Sequence, residues 1–105
     1  MQVQVNTDSS IEGRDDLAAH VTGVVEGALG RFGDQITRVE VHLSDQNGHK
    51  GGPEDKRCMM EARLEGRPPT AVTHLAATID EAIGGAVEKL NRSIESTLGR
   101  LRDRR

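Results

Sequence analysis

Residues 78–101, TIDEAIGGAVEKLNRSIESTLGRL, decide the fold of this chain. The stretch opens on Thr78-Ile79-Asp80-Glu81, the pattern of a capping box: a threonine hydroxyl accepts from the amide three residues on, and the glutamate reaches back. Ile79, Ile83, Ala86 with Val87, Leu90, Ile94, Leu98 and Leu101 then recur at three- and four-residue spacing. That periodicity predicts one long amphipathic helix. At 1.5 Å per residue it is roughly 35 Å long, so its C-terminal turns are expected to project beyond a small sheet.

Everything N-terminal to that helix has to supply what its apolar stripe covers. Thr70 to Leu75 reads as a strand, preceded by the turn Gly66-Arg67-Pro68-Pro69. Two prolines cannot both serve a hydrogen-bonded ladder, so this strand is expected to start at a turn or a sheet edge. Lys56 to Glu65 alternates, with Cys58, Met60, Ala62 and Leu64 on one face. Ile36 to Ser44 alternates too, setting Val39, Val41 and Leu43 against Arg38, Glu40 and His42. Between these strands lies Asp45 to Asp55, DQNGHKGGPED, polar and rich in Gly and read as a mobile loop. Leu17, Val21, Val24 with Val25, Ala28 and Phe32 predict a first helix from about Arg14, with Asp15 and Asp16 in its first turn and Gly33 ending it. Gln2 to Asn6 is a short strand with Val3 and Val5 on one face.

The order is therefore β-α-β-β-β-α, an α+β fold over a single domain spanning residues 1–105. The first crossover makes the first two strands parallel neighbours, and the remaining three form an antiparallel meander. One four-stranded mixed sheet results. Because each strand has a single apolar face, both helices are expected on that face, with the other left to water.

Composition narrows the function. Only one of 105 residues is aromatic, Phe32, so base stacking on ring platforms is not available. The net charge is -3, which is not the global basicity of an obvious RNA-binding domain. The lone Cys58 cannot form an internal disulfide and fits a reducing compartment. Met1 to Val5 has neither the basic nor the apolar region of a signal peptide, and no apolar run approaches the roughly 20 residues of a membrane helix. A cytoplasmic protein without membrane contact is the expectation.

No catalytic constellation emerges. His20, His42 and His49 read as solvated residues, and His74 as part-buried without a nucleophile beside it. Cys58 and the histidines lack zinc-like spacing, so neither a metal nor a cofactor is expected, and Cys58 reads as a small core residue. The glycines of residues 48–52 lack the order of a phosphate-binding loop and lead into a strand. The chain is thus expected not to be an enzyme and to take no small-molecule substrate. Gly23, Gly27 and Gly30 in the first helix, with Gly84 and Gly85 in the second, are costly at such positions. Close packing of the two helices is the favoured explanation, and approach of a partner backbone the alternative.

Charge distribution points outward. Residues 87–105 carry Lys89, Arg92, Arg100, Arg102, Arg104 and Arg105 against Glu88, Glu95 and Asp103, a net +3 that ends in a basic tail over residues 100–105. Residues 12–34 are net -3. Lys89, Arg92 and Arg100 share one flank of the final helix, and the arginine fork suits phosphate. Cations near a helix C-terminus also complement its dipole, so the pattern alone leaves a solvated tail open.

The opening Met1-Gln2-Val3-Gln4-Val5, the run Asp34 to Leu43 (DQITRVEVHL), and Glu81-Ala82-Ile83 leading to Glu88-Lys89-Leu90 resemble the ribosome hibernation promoting factor family, also called ribosome-associated inhibitor or sigma-54 modulation protein. The resemblance spans nearly the whole chain in the same element order and matches a short member, without the C-terminal domain by which long members pair ribosomes. It implies a domain that binds the small ribosomal subunit where messenger and transfer RNA sit, silencing and protecting idle ribosomes under stress. It implies further that Lys89, Arg92 and Arg100, at basic positions of the family's second helix, meet ribosomal RNA phosphates, with Arg102 and Arg104 added from the basic tail. Family members usually carry lysines on the first helix, whereas here it is net acidic. A protein-interaction module or homodimer, acting through the exposed sheet face or the helix glycines, is the alternative.

Overall fold

The computed structural model describes residues 1–8, 11, 13–45 and 55–103, with the backbone alone at 14 and 100–103. Its elements run β1 (Gln2–Thr7), α1 (Arg14–Leu29), a 3-10 segment (Gly30–Gln35), β2 (Ile36–Asp45), β3 (Lys56–Leu64), β4 (Thr70–Ala76) and α2 (Ile79–Asp103). The expected loop at 45–55 falls, apart from its two end residues, outside the described residues, as does His49.

The sheet order is β1-β2-β3-β4, with β1 parallel to β2 and the other neighbours antiparallel. Register follows the sequence alternation. Val39 opposes Ala62, Val41 opposes Met60 and Leu43 opposes Cys58, so the apolar positions stack on one face. Against that face pack Val21, Val25 and Leu29 of α1 and Ala82, Ile83, Ala86, Leu90 and Ile94 of α2, all buried. Leu98 still touches this core, so α2 leaves the sheet later than its length alone suggests. The opposite face carries Gln4, Arg38, Glu40, His42, Arg57, Glu61 and Arg63, and four of these charges pair, Arg38 with Glu40 and Arg63 with Glu61.

The start of α2 is the capping box expected. Thr78 Oγ1 accepts from the Glu81 amide at 3.1 Å and donates to Glu81 Oε1 at 3.1 Å. The return bond thus lands on the threonine hydroxyl. The end of α1 differs from expectation. The α-helix stops at Leu29 with Gly30 still right-handed, and the chain tightens into the 3-10 segment. The positive φ lies inside that segment, at Gly33 (φ 55°), where the chain reverses into β2. Glycine takes this conformation without a Cβ clash.

The favoured account of the helix glycines is also corrected. A Cβ placed on Gly23, Gly27, Gly30 or Gly84 would meet nothing within 4 Å, so helix packing does not require them. Gly85 is the exception, and its neighbour is not the other helix: a Cβ there would collide with the imidazole of His74 on β4. His74 sits in register with Cys58 on the covered face, so α2 reaches β4 only where glycine leaves room for that ring.

At the base of the β2–β3 connection, Lys56 Nζ lies 2.9 Å from Asp55 Oδ1 and 3.3 Å from Asp45 Oδ2. Asp55 is 3% exposed, and its Oδ2 has no hydrogen-bond partner among the described residues. The hydrogen bond to Asp55, with the Asp45 carboxylate beside it, holds the Lys56 ammonium above its ordinary pKa.

Candidate nucleic-acid interface

The two flanks of α2 have different neighbours. One faces α1: Asp80 Oδ1 meets His20 Nε2 at 3.4 Å, and Arg31 Nη2 donates to Asn91 Oδ1 at 2.9 Å and Glu95 Oε2 at 2.6 Å. The other faces away, over β4, where Lys89 Nζ donates to the Thr73 carbonyl at 3.0 Å. With 3.6 residues per turn, position 92 falls beside position 89 on the outer side of this flank, and position 100 returns to it about three turns on.

Lys89 and Arg92 are both exposed. Lys89 bonds a carbonyl and, among the described residues, no carboxylate, and an ammonium has three donors, so charge and hydrogen-bonding capacity remain. Arg92 has no ion pair with another described residue. Glu95, the acid three residues on, is held on the far flank by Arg31, whose guanidinium also lies 4.7 Å from the Phe32 ring centroid. Arg31 thereby draws a negative charge away from the Lys89–Arg92 side. Sixty residues separate Arg31 from Asn91, so no local pattern announces this clamp.

Of the five basic residues singled out from the sequence, the structure therefore places Lys89 and Arg92 together. It puts the backbone of Arg100 on their flank and that of Arg102 on the α1 side of the helix. Arg104 lies outside the described residues. Any phosphate interface here is electrostatic, since the nearest ring, Phe32, is half-buried against the core.

The catalytic candidates stay apart. His20 is on α1, His42 on the open sheet face, and His74 under α2. Burial pushes the Cys58 thiol up to about 12, the reverse of what an activated nucleophile needs. No group of three metal-ligating side chains occurs among the described residues. An open groove of about 310 Å³ between Gln35, Leu64 and Leu98 carries Asp34, Glu65 and Arg67 at its rim, without a nucleophile. No described helix is long and apolar enough to cross a membrane.

The fold recurs in solved structures. A ribosomal subunit interface protein from Coxiella burnetii superposes with a TM-score of 0.72 at 12% identity, over 94% of this chain and 99% of that one. The N-terminal domain of Protein Y from Thermus thermophilus gives 0.72 at 19% identity, over 92% and 99% respectively. No curated protein matches the chain. The family model described as sigma 54 modulation protein / S30EA ribosomal protein matches residues 3–102. With that match over nearly its whole length, on the fold and element order just described, the chain belongs to the sigma 54 modulation protein / S30EA ribosomal protein family.

Proposed function

We propose that this member of a ribosome-associated family is a translation regulator that binds ribosomal RNA of the small subunit through the outer flank of α2 and inhibits or protects idle ribosomes under stress, in the cytoplasm. One observation carries the reading. Lys89 and Arg92 stand exposed on the outer side of α2, neither in an ion pair with another described residue, whereas Arg38 and Arg63 of the open sheet face are paired with glutamates. Lys89, Arg92 and Arg100 meet backbone phosphates, with Arg102 and Arg104 adding charge at the helix end. The structure named as a ribosomal subunit interface protein supports the same partner for this chain. Affinity of this kind is salt-dependent and largely indifferent to sequence, because each neutralised phosphate releases counterions.

The test is cosedimentation with purified small subunits. Replacing Lys89, Arg92 and Arg100 together with Glu is expected to remove the protein from the pellet at physiological salt, and to flatten the log–log salt dependence by about 2–3. A triple variant that pellets like the natural protein places the interface elsewhere. Profiles of ribosomes from starved cells, with and without the protein, test the stress role.

A further inference from the structure

The two edges of the sheet are finished differently. β4 is entered through Pro68-Pro69, and the Lys89 ammonium occupies its Thr73 carbonyl. Prolines and lysines are the usual means of closing an edge to further strands. β1 has neither: Gln2–Thr7 contains no proline, glycine or charge, and pairs with β2 over six residues without a shift of register. The Asp8 amide donates to the Leu43 carbonyl, so the backbone of residue 8 points at β2. Alternation then turns the N–H and C=O groups of Val3, Val5 and Thr7 outward. Among the described residues nothing bonds these groups, which leaves an open row of donors and acceptors.

Above that edge lies α1. Its phase is fixed by its contacts: Val21, Val25 and Leu29 face the sheet, and His20 faces α2. The remaining flank carries Asp15 and Glu26, both exposed, on the side of β1's open edge. A second copy of the chain pairing β1 with β1 about a two-fold axis would bring these acids against their own equivalents. Like charges so placed oppose the pairing.

We propose that β1 accepts an extended, lysine- or arginine-rich segment of another polypeptide as a fifth strand. Its backbone bonds Val3, Val5 and Thr7, and its basic side chains face Asp15 and Glu26. Strand addition draws affinity from main-chain hydrogen bonds and selectivity from the alternate side chains. The acidic character of α1, which does not suit contact with RNA, has a use in this arrangement. The inference is independent of the RNA-binding reading, since it concerns the opposite edge of the sheet.

The test uses the full chain and a fluorescent, end-capped nine-residue peptide alternating lysine with threonine, followed by anisotropy. A peptide alternating glutamate with threonine is the control. Val3→Pro removes an outward N–H and leaves the β1–β2 ladder intact, because proline is tolerated where an edge strand faces solvent. It is expected to weaken binding about tenfold. Asp15→Lys with Glu26→Lys, which leaves the strand untouched, is expected to weaken it at least as much at low salt and to abolish the preference for lysine. The Glu triple variant of α2 is expected to bind the peptide like the natural protein. The proposal is overturned if the two peptides bind equally, if neither variant weakens binding, if the α2 variant loses the peptide, or if the natural protein self-associates in a manner that Val3→Pro abolishes.

Discussion

The two helices share one face of one sheet and are built on opposite terms. α2 runs 25 residues from the Thr78–Glu81 cap and offers the core an unbroken apolar stripe. α1 runs 16 residues from Gly13, a left-handed N-cap without a side-chain bond, and carries Gly23 and Gly27 in open space. Its charges are Asp15, Asp16 and Glu26 against Arg14, whereas α2 mixes both signs and gathers its cations, Lys89, Arg92, Arg100 and Arg102, toward its C-terminal half. The difference teaches that α2 is specified by its own sequence, whereas α1 is helical because the sheet holds it there. Isolated short helices are marginal, and packing supplies what propensity does not.

Truncating the cores of the two helices should break the comparison most severely. Leu90→Ala is expected to cost about 2–5 kcal/mol in denaturant unfolding, and Val25→Ala less, because fewer buried carbons are removed. Glycine substitutions sharpen it. Gly85→Ala should destabilise by about 1–3 kcal/mol, because the ring of His74 must move, and adding His74→Ala should recover most of that loss. Gly27→Ala, in open space on α1, should instead stabilise by about 1 kcal/mol. Thr78→Ala should cost about 1 kcal/mol, with hydrogen exchange accelerated only in the first turn of α2. Slightest near neutral pH is the effect of Cys58. Its thiol ionises near 9.0 when unfolded and near 12 when folded, so above pH 9 the unfolded state loses the proton first and stability falls toward pH 12. At pH 8 it should resist alkylation until the protein is unfolded.

The parts legible in the sequence are those set by local periodicity. The capping box and the Ile83–Leu90–Ile94 spacing located α2, and the alternation of residues 36–43 and 56–64 located β2 and β3 with their faces. The candidate flank was legible for the same reason, since Lys89 and Arg92 are three apart on a helix. What escaped depends on contacts far apart in the chain. The place of His74 against Gly85 exists only once α2 has docked on β4, and that of Arg31 against Glu95 only once α2 has docked beside the end of α1. Gly33 was legible as the glycine that turns the chain at positive φ, but not the change from α-helix to 3-10 helix at Gly30, which leaves no separate mark in the spacing of apolar residues.

The lysine bridge beneath the β2–β3 connection carries a consequence for how this protein tolerates change. Because Lys56 staples Asp45 to Asp55 where the hairpin leaves the sheet, strand registration is settled before the intervening residues begin. Insertions or deletions between those aspartates should therefore leave the β2–β3 alignment intact, making residues 46–54 the natural place to graft a foreign epitope or a reporter peptide.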